Sequence, residues 1–126
     1  MRAIIAVNNF SVIGLNNGLP WRCKEDLQHF KKLTLNSTLL VGYNTFQTLP
    51  ELKDRSVYCD SQWVGKEFVA DWCIGGKKTY EKYCHLFTEL HISHIDDNSI
   101  GDVMFPNLSN LNPDCKIFNY YFKTNK

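Results

Sequence analysis

Three short stretches hold residue types that can do chemistry. The first is Asp26, four residues before Phe30, so both share one face if the segment is helical, and Leu27 widens that face. A carboxylate among apolar groups loses hydration, which disfavours its charge. A polar ligand that hydrogen-bonds it relieves that cost. The simpler reading is an acidic residue in a first helical turn, complementing the dipole. The second stretch is Cys73-Ile74-Gly75-Gly76-Lys77-Lys78-Thr79-Tyr80. A strand ending in paired glycines and entering a helix leaves backbone N–H groups free, and Lys77 and Lys78 add positive charge, so phosphate suits it. A tight strand–helix turn without a ligand accounts for the same residues equally well. The third is Gly18-Leu19-Pro20-Trp21, a punctuated loop that either lies as a lid over an apolar pocket or simply packs.

The rest of the chain must position these residues. It has 126 residues, which suits one domain spanning 1–126. Lys and Arg number 14 against 13 Asp and Glu, a net charge of +1, so there is no electrostatic footprint for nucleic acid. The hydrophobic fraction of 44% and charged fraction of 21% are those of a folded protein and not a disordered one. No apolar run approaches the ~20 residues of a membrane span. The N-terminal run reads as a strand and not a signal peptide. Five cysteines, an odd number without a Cys-x-x-Cys pair, argue against a disulfide framework and a zinc site. Such scattered thiols suit a reducing, cytoplasmic setting. The four histidines lack metal-ligand spacing, and no metal is expected.

Ala3–Val7 is a continuous apolar run, the mark of a strand buried on both faces. A helix is expected over Lys24–Thr34, strands over Thr38–Val41 and Ser56–Cys59, and a short helix over Asn44–Leu49, ended by Pro50. The stretch Ser61–Phe68 has no clear pattern. A strand over Val69–Ile74, a helix over Lys77–Phe87, a strand over Glu89–Ile95, a turn over Asp96–Ser99 and a strand over Lys116–Phe122 follow. Strands alternating with helices make an α/β sheet covered on both sides.

The order of the motifs resembles the dihydrofolate reductase family. Ile5-Ala6-Val7, Val12-Ile13-Gly14, Asn17-Gly18-Leu19-Pro20-Trp21, Asp26-Leu27 and Phe30-Lys31 resemble its N-terminal signature. Val41-Gly42-x-x-Thr45-Phe46, Arg55, Ile74-Gly75-Gly76 with Tyr80-Glu81, Ser93-His94-Ile95-Asp96 and Gly101-Asp102-x-x-Phe105-Pro106 continue it in family order. The resemblance implies a twisted, mostly parallel central sheet with helices on both faces and an antiparallel C-terminal edge. It implies hydride transfer from NADPH to C6 of dihydrofolate, with a proton reaching N5.

The resemblance also implies roles. Asp26 anchors the pterin N3 and 2-amino group and assists protonation indirectly, and Ser93 hydrogen-bonds its carboxylate. Ile4, Leu27, Phe30, Leu52 and Ile74 wall the rings. Arg55 pairs with the α-carboxylate of the glutamate tail. Leu19, Pro20 and Trp21 form the lid, with Leu19 and Trp21 close to the chemistry. Ala6, Ile13, Gly14, Asn17, Gly18, Asn44 and Thr45 line the cofactor from one side. Gly75, Gly76, Thr79 and Tyr80 line it from the other, and Ser61, Lys77 and Lys78 face its adenosine end. The expected partners are dihydrofolate and antifolate inhibitors, with no nucleic acid or membrane, for a monomer.

Three departures fall on the cofactor side and the C-terminus. The stretch from Ser61 to Gly75 is short and the C-terminal hairpin is trimmed. Lys77 stands where a third glycine is common, and Tyr43 where a basic residue is common. Lost wall at the adenine end predicts weak NADPH binding with ordinary turnover. A degenerate homologue with a structural or binding role is the competing reading. It is opposed by the presence of Asp26, Trp21, Arg55, Thr45 and the glycine pair. Reduction of another pteridine or a flavin precursor is a third reading, which Arg55 opposes, because only a glutamate tail calls for it.

Overall fold

Helices on both faces of a sheet force its central strands to be apolar throughout. Ala3, Ile4, Ile5 and Val7 are accordingly all buried, in β1 (Arg2–Val7). The structure, a computed structural model, describes residues 1–62 and 70–124. After β1 come β2 (Val12–Gly14), α1 (Lys24–Thr34), β3 (Thr38–Val41), α2 (Tyr43–Thr48) and β4 (Ser56–Cys59). Then follow β5 (Trp72–Cys73), α3 (Lys77–Tyr83), β6 (Glu89–Asp96), β7 (Val103–Met104) and β8 (Lys116–Lys123). Single 3₁₀ turns occupy Asp60–Gln62 and Cys84–Leu86.

The main sheet has the order β4-β3-β5-β1-β6-β8, and every neighbouring pair is parallel. The alternation of β1 separates two faces. Ala3, Ile5 and Val7 join Cys73, Leu90 and Ile92 against Tyr80 of α3 and the following Cys84 and Phe87. Ile4 joins Leu39 and Trp72 on the opposite face, packed against Phe30 and Leu33 of α1.

The antiparallel C-terminal edge expected from the resemblance is not where the antiparallel pairing lies. β8 runs parallel to β6, with Glu89 opposite Lys116 and Asp96 opposite Lys123. The reason is the long connection between them. It returns to the start of β6, where the Asn112 N–H donates to the Cys84 carbonyl (3.2 Å) and the Lys116 N–H to that of Thr88 (3.1 Å). A tight hairpin would have reversed the strand, whereas a crossover restores its direction. On the way the connection lays β7 antiparallel against β2 in a separate ribbon.

Smaller differences have local causes. The helix expected through Phe87 ends at Tyr83 and tightens to 3₁₀, where the Phe87 N–H donates to the Cys84 carbonyl (3.2 Å). α2 runs one residue earlier than expected, because Leu49 precedes Pro50 and is extended (ψ 127°). The strand expected over Val69–Ile74 is regular only at Trp72–Cys73. Its first residue, and most of the patternless stretch after Gln62, lie outside the described residues.

Candidate active site

α1 follows an extended Cys23, carries Glu25 and Asp26 in its first turn, and has Lys31 and Lys32 in its last, an arrangement that suits the dipole. That alone does not account for Asp26, which is only 6% exposed. Burial pushes its carboxyl above the usual carboxylate range, while Ser93 and His29 pull in the opposite direction. Ser93 reaches Asp26 because the register sets Ser93 beside Ala6, on the face that α1 covers. The Ser93 hydroxyl is near enough to favour the carboxylate charge, yet it has no hydrogen bond of good geometry among the described residues. Trp21 is 8% exposed on the same face, packed with Val12, Cys23 and Ile95, and its Nε1–H likewise lacks a partner. Buried polar atoms are almost always paired. Two orphaned donors on the face of a buried carboxylate therefore mark a place built to receive polar groups.

Four of the five expected wall residues lie together. Ile4, Phe30, Leu52 and Ile74 share one cluster around Leu39 and Trp72. Leu27, 51% exposed, stands at the rim. Phe46, Leu49, Leu52, Val57 and Arg55 line a groove of about 310 Å³. Arg55 is half-buried and held in place: its Nε–H donates to the Lys53 carbonyl (2.9 Å), its Nη1 to the Thr34 hydroxyl (3.4 Å), and its guanidinium lies 5.9 Å from the Phe30 ring centroid. It forms no ion pair among the described residues. A larger, polar depression of about 410 Å³ lies between Arg55 and Asn36, Ser37, Asp54 and Ser56, and none of the Asp26 face lines it.

The glycine turn abuts the start of α2. The Gly75–Gly76 peptide is cis, Gly75 has φ +109°, and its carbonyl accepts the Gly42 N–H (2.6 Å). A Cβ on Gly76 would stand 3.0 Å from the Thr45 hydroxyl, and one on Gly42 would strike the Thr79 hydroxyl. Thr79 is buried in this seam, Thr45 is half-buried, and Asn44, Lys77 and Lys78 are exposed around it. Tyr80 stands behind the glycine turn. It is a buried strut whose O–H donates to the Ile4 carbonyl (2.6 Å) and whose ring covers Gly75. Burial pushes its phenol well above the usual range. Ser61 is exposed after β4, next to an Asp60 engaged by Lys82 (3.4 Å) and Tyr83.

Leu19 stands beyond a two-residue hairpin in which Asn16 and Asn17 take positive φ (50° and 65°) between the paired Leu15 and Gly18. The Asn17 carbonyl accepts the Thr48 hydroxyl (2.8 Å), which ties the loop to α2. Ile13 and Ala6 are half-buried beneath it, and Gly14 is buried. Leu19 is 47% exposed at the free side of the loop, while Trp21, 8% exposed, anchors its end. A second anchor had no role assigned from sequence. Asp102 accepts the Asn16 N–H (3.1 Å) and donates its own N–H to the Gly14 carbonyl (3.0 Å). Gly101 beside it sits too close to Val12 and Gly14 for any side chain. The pair Gly101-Asp102 was the available signal. The sequence marks His29, one turn after Asp26 on α1, only as an ordinary imidazole.

The family model described as dihydrofolate reductase matches residues 1–58. The dihydrofolate reductase of Mycoplasma genitalium is 45% identical over 79% of this chain and 79% of its own length. That of Buchnera aphidicola from Schizaphis graminum is 31% identical over 95% of this chain and 84% of its own. Among solved structures, Enterococcus faecalis dihydrofolate reductase complexed with NADP(H) superposes with a TM-score of 0.73 at 24% identity, covering 86% of this chain and 77% of that one, which is a likeness of fold. With two such relatives matched over most of their length, this chain belongs to the dihydrofolate reductase family.

Proposed function

We propose that the protein reduces 7,8-dihydrofolate to 5,6,7,8-tetrahydrofolate at the expense of NADPH. The observation that carries this reading is the buried Asp26, with its raised pKa, on a face with two unpartnered donors. Asp26 accepts paired hydrogen bonds from the pterin N3 and 2-amino groups, a charge-assisted contact that fixes the ring. Its carboxylate favours a protonated substrate, and Trp21 Nε1–H holds a water through which a proton reaches N5. Ile4, Phe30 and Leu52 bind the apolar rings, and Arg55 takes the tail carboxylate. Leu19 and Pro20 close over the reacting atoms and exclude water.

The seam of Gly42, Gly75 and Gly76, packed so closely against Thr79, Tyr80 and Thr45 that no Cβ fits, is a glycine turn beside the exposed Lys77 and Lys78, which suits the diphosphate of NADPH. When bound, NADPH supplies the hydride. Lys77 and Lys78 face its adenosine end, with Ser61. Residues 63–69, in the short stretch between Ser61 and Gly75, lie outside the described residues. The protein acts as a monomer in the cytoplasm and is a target of antifolates.

Purified protein is followed for NADPH oxidation with and without dihydrofolate. Oxidation that requires dihydrofolate, with tetrahydrofolate formed in equal amount, is the expected result. Binding of both ligands with no turnover would replace the reductase by a binding protein of the same fold.

A further inference from the structure

We infer that His29 is a positioning residue for Asp26, the near end of a file of side chains, His29, Tyr120, His91 and Glu89, that sets the charge on the carboxylate from the C-terminal half of the sheet. This rests on the reading of Asp26 as the substrate anchor. His29 lies three residues after Asp26, one turn along the same helix face. Its Nε2 is buried and has no hydrogen-bond partner among the described residues. Its ring is held between Tyr120 (centroids 4.1 Å apart) and Phe122 (5.5 Å).

Behind it the contacts are ordered. The Tyr120 hydroxyl is 3.0 Å from His91 Nδ1, and His91 Nε2 is 2.8 Å from a Glu89 carboxylate oxygen. The His91 ring stacks on Phe118 at 4.6 Å and meets Trp72 edge-on at 5.1 Å, so it cannot swing away. Strand alternation then does the rest: Glu89, His91 and Ser93 share one face of β6, with Ser93 next to Asp26. The far end of the file thus lies on the strand that also carries Ser93.

The titratable groups that face His29 come from three elements. Asp26 and Lys32 belong to α1, His91 with its Glu89 to β6, and Tyr120 to β8. Asp26 favours a proton on His29, while burial, His91 and Lys32 oppose it. A proton on His29 in turn holds Asp26 ionised. Such coupling is reciprocal by linkage: each group moves the midpoint of the other equally.

The test follows the His29 ring protons and the Asp26 carboxyl carbon by NMR from about pH 4 to pH 8, with kcat for dihydrofolate measured over the same range. In Asp26→Asn the His29 midpoint falls. In His29→Gln the Asp26 midpoint rises by the same amount, and the kcat profile moves with it, by about threefold or more in the ratio of the two forms at fixed pH. In His91→Gln the His29 midpoint rises. A His29 that titrates identically in the wild type and in Asp26→Asn overturns the inference, and this arm stands even if His29→Gln fails to fold. Reciprocal midpoints with an unmoved kcat profile also overturn it. Reciprocal midpoints in a protein without reductase activity would uphold the coupling and defeat the reductase reading instead.

Discussion

The two faces of the central sheet bury different things. The α3 face is almost purely apolar: Ala3, Ile5, Val7, Cys73, Cys84, Phe87, Leu90 and Ile92, with Tyr80 satisfied through the Ile4 carbonyl. The α1 face buries Asp26, Thr34, His91 and Ser93 among Ile4, Leu39 and Trp72. The buried polar atoms without partners among the described residues, Trp21 Nε1, His29 Nε2, Trp72 Nε1 and Ser93 Oγ, all belong to this second face. An unpaired buried polar group costs about 1–3 kcal/mol. The contrast teaches that one face holds the fold together while the other gives up stability for a place where polar ligands bind.

The largest expected effect tests the apolar face. Phe87 is fully buried there, and Phe87→Ala removes its packing and leaves a cavity. Urea unfolding should show a loss of about 3–5 kcal/mol. Turnover per folded molecule, with active sites titrated by a tight inhibitor, should be unchanged. A fall in that turnover would mean the two faces are not independent.

Next is Asp26→Asn on the other face. Turnover at neutral pH should fall by at least about 100-fold, while stability at that pH is kept or increased. Burial raises the native Asp26 pKa above its unfolded value. Between the two values the native state binds more protons, so stability falls as pH rises through that window and stays reduced above it. Asparagine has no such charge to bury. Thermal melts should therefore favour the variant at neutral pH, and the difference should close in acid, below the unfolded pKa. A variant less stable than wild type at pH 7 would refute the idea that this face trades stability for function.

Much of this division was legible in the residues. The continuous run Ala3–Val7 called for a two-sided strand, and Lys24–Thr34, Thr38–Val41 and Ser56–Cys59 have the expected limits. Motif order brought Ile4, Phe30, Leu52 and Ile74 to one wall. Three things were hidden, each because it depends on distant parts of the chain. The direction of β8 is set by where its connection returns, which no local pattern encodes. The Tyr80 hydroxyl is spent on a carbonyl 76 residues away. His29 looks ordinary until β8 lays Tyr120 and Phe122 against it.

A third experiment sharpens the boundary of the polar face. Arg55 has only neutral hydrogen-bond partners among the described residues, and it lines the groove with Phe46, Leu52, Val57 and Glu51. Arg55→Ala should raise KM for dihydrofolate about 30-fold, the scale of ~2 kcal/mol for a lost charge-assisted pair. A pterin without the glutamate tail should be nearly unaffected. Equal losses on both substrates would make Arg55 a strut for Thr34 and the Lys53 carbonyl.

The smallest effect concerns the loop proposed to close over the polar face. Asp102 is exposed, and its carboxylate accepts one backbone N–H, that of Asn16, at 3.1 Å. Its own N–H donates to the Gly14 carbonyl and survives substitution. Asp102→Ala therefore removes a single hydrogen bond with a charged acceptor at the surface, worth about 1 kcal/mol, or about fivefold. The Thr48 hydroxyl still holds Asn17, so the loop stays tethered at its other side. The expected outcome is a fall of about fivefold in kcat or in NADPH affinity, with the unfolding midpoint almost unchanged, because no apolar area is uncovered. Asp102→Asn keeps an acceptor oxygen and should recover most of the loss. If Asp102→Ala melts far below wild type while its activity per folded molecule is normal, the Asp102 contact belongs to the fold and not to the lid.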